Sequence, residues 1–110
     1  MTLYIDSTNF DAVTYVLAGD KVIKRVFKAN PHQSYVVFSY LEKFLKSSKV
    51  KTSEIKKIVV NKGPGSYTGT RIGVTHAMAL GFAWDVPVKA LDNKKFNLLL
   101  SGTPKPSQTK

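Results

Sequence analysis

The stretch from Ile55 to Asp85, IKKIVVNKGPGSYTGTRIGVTHAMALGFAWD, constrains the fold most, because it runs a strand, a glycine-rich turn and a helix together with no room for a linker. Ile58-Val59-Val60 is a short apolar run bounded by Lys56, Lys57, Asn61 and Lys62, the pattern of a strand covered on both faces. Gly63-Pro64-Gly65 ends it, and the glycines allow a sharp turn with backbone N–H groups left open. A helix is predicted at once, capped by Ser66 or Thr68, with Ile72, Val74, Ala77, Met78, Leu80 and Phe82 making it mostly buried. Gly69, Gly73, Ala77 and Gly81 recur every fourth residue, a ridge that another backbone can approach closely. Glycine inside a helix costs about 1 kcal/mol relative to alanine. The ridge is therefore expected to pack on something, either the sheet of this chain or a helix of a partner chain.

The turn matches no complete nucleotide motif. A Walker A loop needs a Gly-Lys-Ser/Thr end, which is absent. The dinucleotide fingerprint needs a glycine where Thr68 stands, although Gly63, Gly65 and Gly69 come close and Asp92 follows a further predicted strand. Two readings stay open: an anion site at a helix start, built from Gly63, Gly65, Ser66 and Thr68, or a tight strand-to-helix connection.

At 110 residues the chain is sized for one hydrophobic core, and is small for an enzyme that closes two lobes over a nucleotide. No apolar run approaches the roughly 20 residues that cross a bilayer, and no signal pattern opens the chain, so a soluble, cytoplasmic protein is expected. The absence of cysteine excludes disulfides and thiol chemistry. His32 and His76 fall on different predicted helices with no carboxylate at ligand spacing, so neither a metal nor a cofactor is expected. Seventeen basic against seven acidic residues give a net charge of +10, which attracts polyanions. The lysines are spread along the chain and not interleaved with aromatics, which fits a solvated surface as well as an RNA-facing patch.

Thr2 to Thr8 begins as a strand with Leu3 and Ile5 on one face and Tyr4 and Asp6 on the other. Asp11 to Ala18 and Lys21 to Lys28 read as a hairpin turned at Ala18-Gly19-Asp20. Asn30-Pro31-His32-Gln33 is a helix-start sequence, and Val37, Leu41, Phe44 and Leu45 mark its core stripe, widened by Tyr35, Phe38 and Tyr40. After a polar connection through Lys46 to Glu54 come the strand and helix above, then Val86 to Leu91 as a last short strand and a further helix opening at Asp92. Residues 1–100 form the expected domain, and 101–110, without an apolar anchor, the expected disordered tail. Right-handed crossovers from strand 1 to strand 4 and from strand 4 to strand 5 give a mixed five-stranded sheet of order 3-2-1-4-5 flanked by helices. That is the α/β ribonuclease-H-like lobe, which is also the lobe of actin-like ATPases.

The fold admits several chemistries. A two-metal nuclease would place carboxylates at Asp6, at Glu42 and after strand 4, but Asn61-Lys62 supplies none and adds a positive charge. An actin-like ATPase needs a second lobe for which this chain has no room. The seven acidic residues show no close pair for acid and base work, and Asp6 is expected to bond the hairpin or the glycine turn.

The run GPGSYTGTRIGVTHAMALGFAWDVPV from Gly63 to Val88 resembles the GPGS-aromatic-TG-x-R-IG hallmark of the TsaB (YeaZ) family. YIDST looks like that family's L-D-T-S strand end, and His32-Gln33-Ser34 with Leu41 and Leu45 is similar to its His-Ser-Glu-x-Leu helix start. The resemblance covers Leu3 to Leu91. It implies a non-catalytic partner of the TsaD-type catalytic subunit, acting with a TsaE-type ATPase to make threonylcarbamoyladenosine at position 37 of transfer RNA, with RNA contact indirect. It further implies that the two helices, His32 to Ser48 and Thr68 to Trp84, form the contact and that homodimers use the same surface. On this chain the interface would be Tyr35 and Phe38 with Thr68, Gly69, Arg71, Ile72, Gly73, Thr75, His76, Ala77 and Gly81. Gln33 and Ser34 depart from the family's Ser and Glu, and the usual second lobe is missing. Outside the resemblance, the alternatives are an independent nucleotide-binding enzyme built on Gly63 to Gly69, or a basic RNA-binding module.

Overall fold

A computed structural model of the chain describes residues 1–9, 11–28, 34–65, 67–102 and 108–109, with backbone alone described for 34–38, 67 and 108–109. The strands are β1 (Thr2–Asp6), β2 (Ala12–Ala18), β3 (Val22–Lys28), β4 (Lys57–Asn61), β5 (Val88–Leu91) and the two-residue β6 (Gln108–Thr109). The helices are α1 (Ser34–Ser48), α2 (Tyr67–Trp84) and α3 (Asn93–Ser101), with a single 3-10 turn at Thr52–Glu54. The sheet order is β5-β4-β1-β2-β3-β6, so the five strands expected from the crossovers lie in the expected order. β1 runs antiparallel to β2 and parallel to β4, and β4 runs parallel to β5. β6 adds two residues to β3 in the segment expected to be a disordered tail.

Alternation along β1 and β4 builds two cores. Leu3, Ile5, Ile58 and Val60 face α1 and α2, where they meet Leu41, Phe44, Leu45, Ala77 and Leu80. Tyr4 and Val59 face the other way and pack with Val16, Val22 and Phe96 of α3. Both central strands are thus buried on two faces, as their apolar runs require. Aromatic rings fill the larger core: Tyr15 stacks on Phe44 with centroids 5.8 Å apart, and Phe27 on Tyr40 at 4.6 Å.

The helices end and begin by local rules. Lys49 and Asp85 adopt left-handed φ of 57° and 54°. The next residues, Val50 and Val86, then donate to the carbonyls of Leu45 and Gly81, closing each helix with a Schellman-type bond. Asp92 caps α3 by accepting from Lys95 N at 2.9 Å. The proposed start of α1, Asn30 to Gln33, lies outside the described residues, as does Ser66. α2 begins at Tyr67, so Thr68 sits inside its first turn and is not its cap. No helix among the described residues is long and apolar enough to cross a membrane.

Candidate partner-docking surface

α2 lies across the sheet with two unlike sides. On the inner side, Gly69 O accepts a hydrogen bond from Ser7 Oγ at 2.7 Å, tying the start of the helix to the end of β1. A Cβ on Gly73 would fall on the Ser7 side chain, and a Cβ on Gly81 would fall on Val88 and lie 3.0 Å from Val86 O. Ala77 is fully buried between them. The small-residue ridge is therefore the close approach of α2 to β1 and β5, and of the two open readings the internal one holds. The Cβ directions of Gly73 and Gly81 and the side chain of Ala77 point to the sheet, and Gly69 is buried beside them.

His76 is turned inward as well. It is 1% exposed, and its Nε2 lies 3.3 Å from Tyr15 Oη, a buried pair whose donor and acceptor follow the tautomer. Burial lowers the imidazole from 6.5 to about 4 and raises the Tyr15 phenol above its usual range. The folded chain thus holds His76 neutral while the unfolded chain protonates it. Its contribution is complete above pH 6.5 and is lost as the pH falls from there toward about 4. That difference is worth on the order of 3 kcal/mol. Urea midpoints of the wild type are expected to fall across this window beyond the fall seen for His76→Gln; parallel pH profiles would refute the assignment.

The outer side of α2 carries Thr68, Arg71, Thr75, Met78 and Phe82 at spacings of three and four residues, all exposed. Phe82 is 92% exposed and Met78 51%. These two were expected in the core; they lie opposite Gly73, Ala77, Leu80 and Gly81, which the sheet takes. Ile72 is half-buried at the border. α1 packs beside α2 on the same face of the sheet and exposes Ser39, Glu42, Lys43 and Lys46, with Glu42 and Lys46 paired at 3.7 Å. The side chains of Tyr35 and Phe38 lie outside the described residues. Met78 and Phe82 are the interface candidates missed in the sequence. Their signal was available: on a helix whose glycines face the sheet, residues 78 and 82 fall on the far side.

The glycine turn is tied to its neighbours at Gly63 and Gly65. Gly63 has φ 98° and precedes a cis bond to Pro64. Its N–H donates to Asn61 Oδ1 at 2.9 Å, and its carbonyl accepts from Asn93 N at 2.7 Å. Asn61 Nδ2 completes the lock by donating to Asn93 Oδ1 at 3.0 Å. A Cβ on Gly65 would come within 2.5 Å of Thr8 Cβ and 2.6 Å of Thr8 O. Thr8 is itself held by Asp6 Oδ1, which accepts from Thr8 N at 3.0 Å and Thr8 Oγ1 at 2.7 Å. Among the candidates for an anion loop, Gly63 N–H is thus occupied by Asn61, Gly65 abuts Thr8, and Thr68 is exposed in the first turn of α2. Asp6 and Asn61, at the ends of β1 and β4, both bond the turns beside them. The described residues contain no group of three or more His, Asp or Glu able to hold a metal.

The family model described as TsaD, tRNA N6-adenosine threonylcarbamoyltransferase, matches residues 27–99. The tRNA threonylcarbamoyladenosine biosynthesis protein TsaB of Bacillus subtilis (strain 168) is 35% identical over 92 residues, 83% of this chain and 40% of that protein. Among solved structures, YeaZ from Pseudomonas aeruginosa superposes with a TM-score of 0.73 at 24% identity, covering 83% of this chain and 44% of its own. T. thermophilus RuvC, solved in complex with a Holliday junction substrate, shares the fold at a TM-score of 0.59 and 13% identity over 96% of this chain and 83% of RuvC. The chain spans about two-fifths of the length of the curated TsaB relative. The family model spans about two thirds of the chain, and its match agrees with the similarity to TsaB and YeaZ and with the GPGS run: the chain belongs to the family described as TsaD, tRNA N6-adenosine threonylcarbamoyltransferase.

Proposed function

We propose that the chain is a non-catalytic subunit in the formation of threonylcarbamoyladenosine on transfer RNA, docking a TsaD-type catalytic protein through the outer face of α2 and the adjoining face of α1. The observation that carries this reading is Phe82, 92% exposed beside Met78 on a helix whose other side is sealed to the sheet. An exposed aromatic with an apolar neighbour, rimmed by Arg71 and Thr75, has the composition of a protein-interface centre. Homodimers of the chain would use this same face, and a TsaE-type ATPase would join the assembled pair. The non-catalytic role is supported by Asp6 and Asn61, whose side chains serve local turns. Acting on transfer RNA, the protein would work in the cytoplasm, with RNA contact made mainly through the catalytic partner.

A Bacillus subtilis strain depleted of its own TsaB and supplied with this chain tests the reading. Threonylcarbamoyladenosine in its transfer RNA is expected to recover, measured by mass spectrometry of nucleosides. A folded, well-expressed chain that leaves the modification absent would contradict it.

A further inference from the structure

The sheet carries a second surface that is unpartnered among the described residues, on the side away from α1 and α2 and independent of the docking face above. β5 ends the sheet, with no strand beyond it among the described residues. Pro87 O and Leu91 O accept from Ile58 N at 3.0 Å and Lys62 N at 2.8 Å. In a parallel ladder this parity turns residues 87, 89 and 91 toward β4 and leaves the N–H and C=O of Val88 and Ala90 on the open edge. Beside that edge, on the α3 side, runs an open groove of about 400 Å³ lined by Lys89, Leu91, Lys95, Leu98, Leu99 and Gly102. Leu98 is 73% exposed and Leu99 40%, while Phe96 anchors the helix from beneath. Lys89 and Lys95 are exposed and make no ion pair among the described residues.

We propose that this edge and groove bind an extended acidic segment of a partner protein, added to the sheet as a strand beside β5. Val88 and Ala90 supply the backbone hydrogen bonds, as in other cases of strand addition. On the α3 side the added strand faces Lys89 and Leu91, two residues apart, so its matching residues are a carboxylate and a branched apolar side chain with the same spacing. Leu98 and Leu99 cover the apolar residue, and Lys95 receives a further carboxylate. Charge selects this occupant over a second copy of the chain: self-pairing would set Lys89 and Lys95 of one copy against another chain of net charge +10. The apolar lining equally disfavours a nucleic acid, since no aromatic ring stands in the groove among the described residues for a base to stack on.

The probe is a capped hexapeptide with glutamate, leucine and glutamate at its second, fourth and sixth positions and threonine elsewhere, with a control peptide carrying lysine for glutamate. Backbone amide NMR of the full chain at low salt is expected to show shifts confined to β5 and α3, and slowed exchange at Val88 and Ala90, with the acidic peptide alone. Leu98→Glu should weaken binding about tenfold or more, as expected for losing one buried leucine contact. The double variant Lys89→Glu with Lys95→Glu should shift preference to the lysine peptide. All three side chains are exposed, so these variants retain the fold. Equal binding of both peptides, no shift at millimolar peptide, or concentration-dependent self-association removed by Leu98→Glu would each overturn the proposal, the last by making a second copy the occupant.

Discussion

Gly73→Leu is expected to lower the thermal midpoint of the free chain by roughly 15 °C, before any partner is added. The new side chain would have to enter the space held by Ser7, which is fully buried at the end of β1 and donates to Gly69 O. Overpacking of this kind costs about 1–3 kcal/mol. Displacing Ser7 also removes a buried hydrogen bond worth about 1 kcal/mol and leaves a polar group to be satisfied elsewhere. Replacing a helical glycine returns up to about 1 kcal/mol. The net is roughly 3 kcal/mol, a large part of the stability of a domain this size. Calorimetric melting measures it, and a Ser7→Gly, Gly73→Ala double variant should stand closer to the wild type than Ser7→Gly and Gly73→Ala added together. A Gly73→Leu chain with an unchanged midpoint that no longer pairs with a TsaD-type protein would instead return the ridge to the interface.

Phe82→Glu, one face away on the same helix, is expected to do the reverse. With the ring 92% exposed, the substitution should change the free chain's stability by about 0.5 kcal/mol or less. Affinity for a TsaD-type partner should fall by about 2–4 kcal/mol, roughly 30-fold to 1000-fold, because an aromatic anchor is lost and a carboxylate is buried unpaired in its place. Titration calorimetry separates the two effects. Leu98→Glu, on the far side of the sheet, is the control and should leave this affinity unchanged. A Phe82→Glu chain that binds as tightly as the wild type would move the docking surface away from α2.

Much of the architecture was legible because it depends on local pattern and chain direction. The apolar runs at Leu3 to Ile5 and Ile58 to Val60 show which strands are buried on both faces, and crossover handedness then orders the sheet. The direction of the α2 ridge was not legible. That helix carries apolar residues on opposite sides, Ala77 and Leu80 inward and Met78 and Phe82 outward, so its pattern alone reads as a helix buried all round. Only Ser7 and Val88, 66 positions before and seven after their ridge glycines, decide which side meets the sheet. The glycine turn was ambiguous for the same reason: the hydrogen bonds that close it come from Asn61 and from Asn93, across a helix and a strand. The groove at β5 was hidden in the run Leu98-Leu99-Leu100, where apolar character does not reveal that Phe96 takes the core position and leaves Leu98 outside.

On the proposed reading, α2 seals one side to its own sheet and offers the other to a TsaD-type protein. The most direct measurement is the solution mass by light scattering of the chain, the TsaD-type protein of the same cell, and their mixture, for wild type and Phe82→Glu. The prediction is a one-to-one complex with the wild type and two separate species with the variant. Separate species with the wild type, or a complex that survives Phe82→Glu, would contradict it.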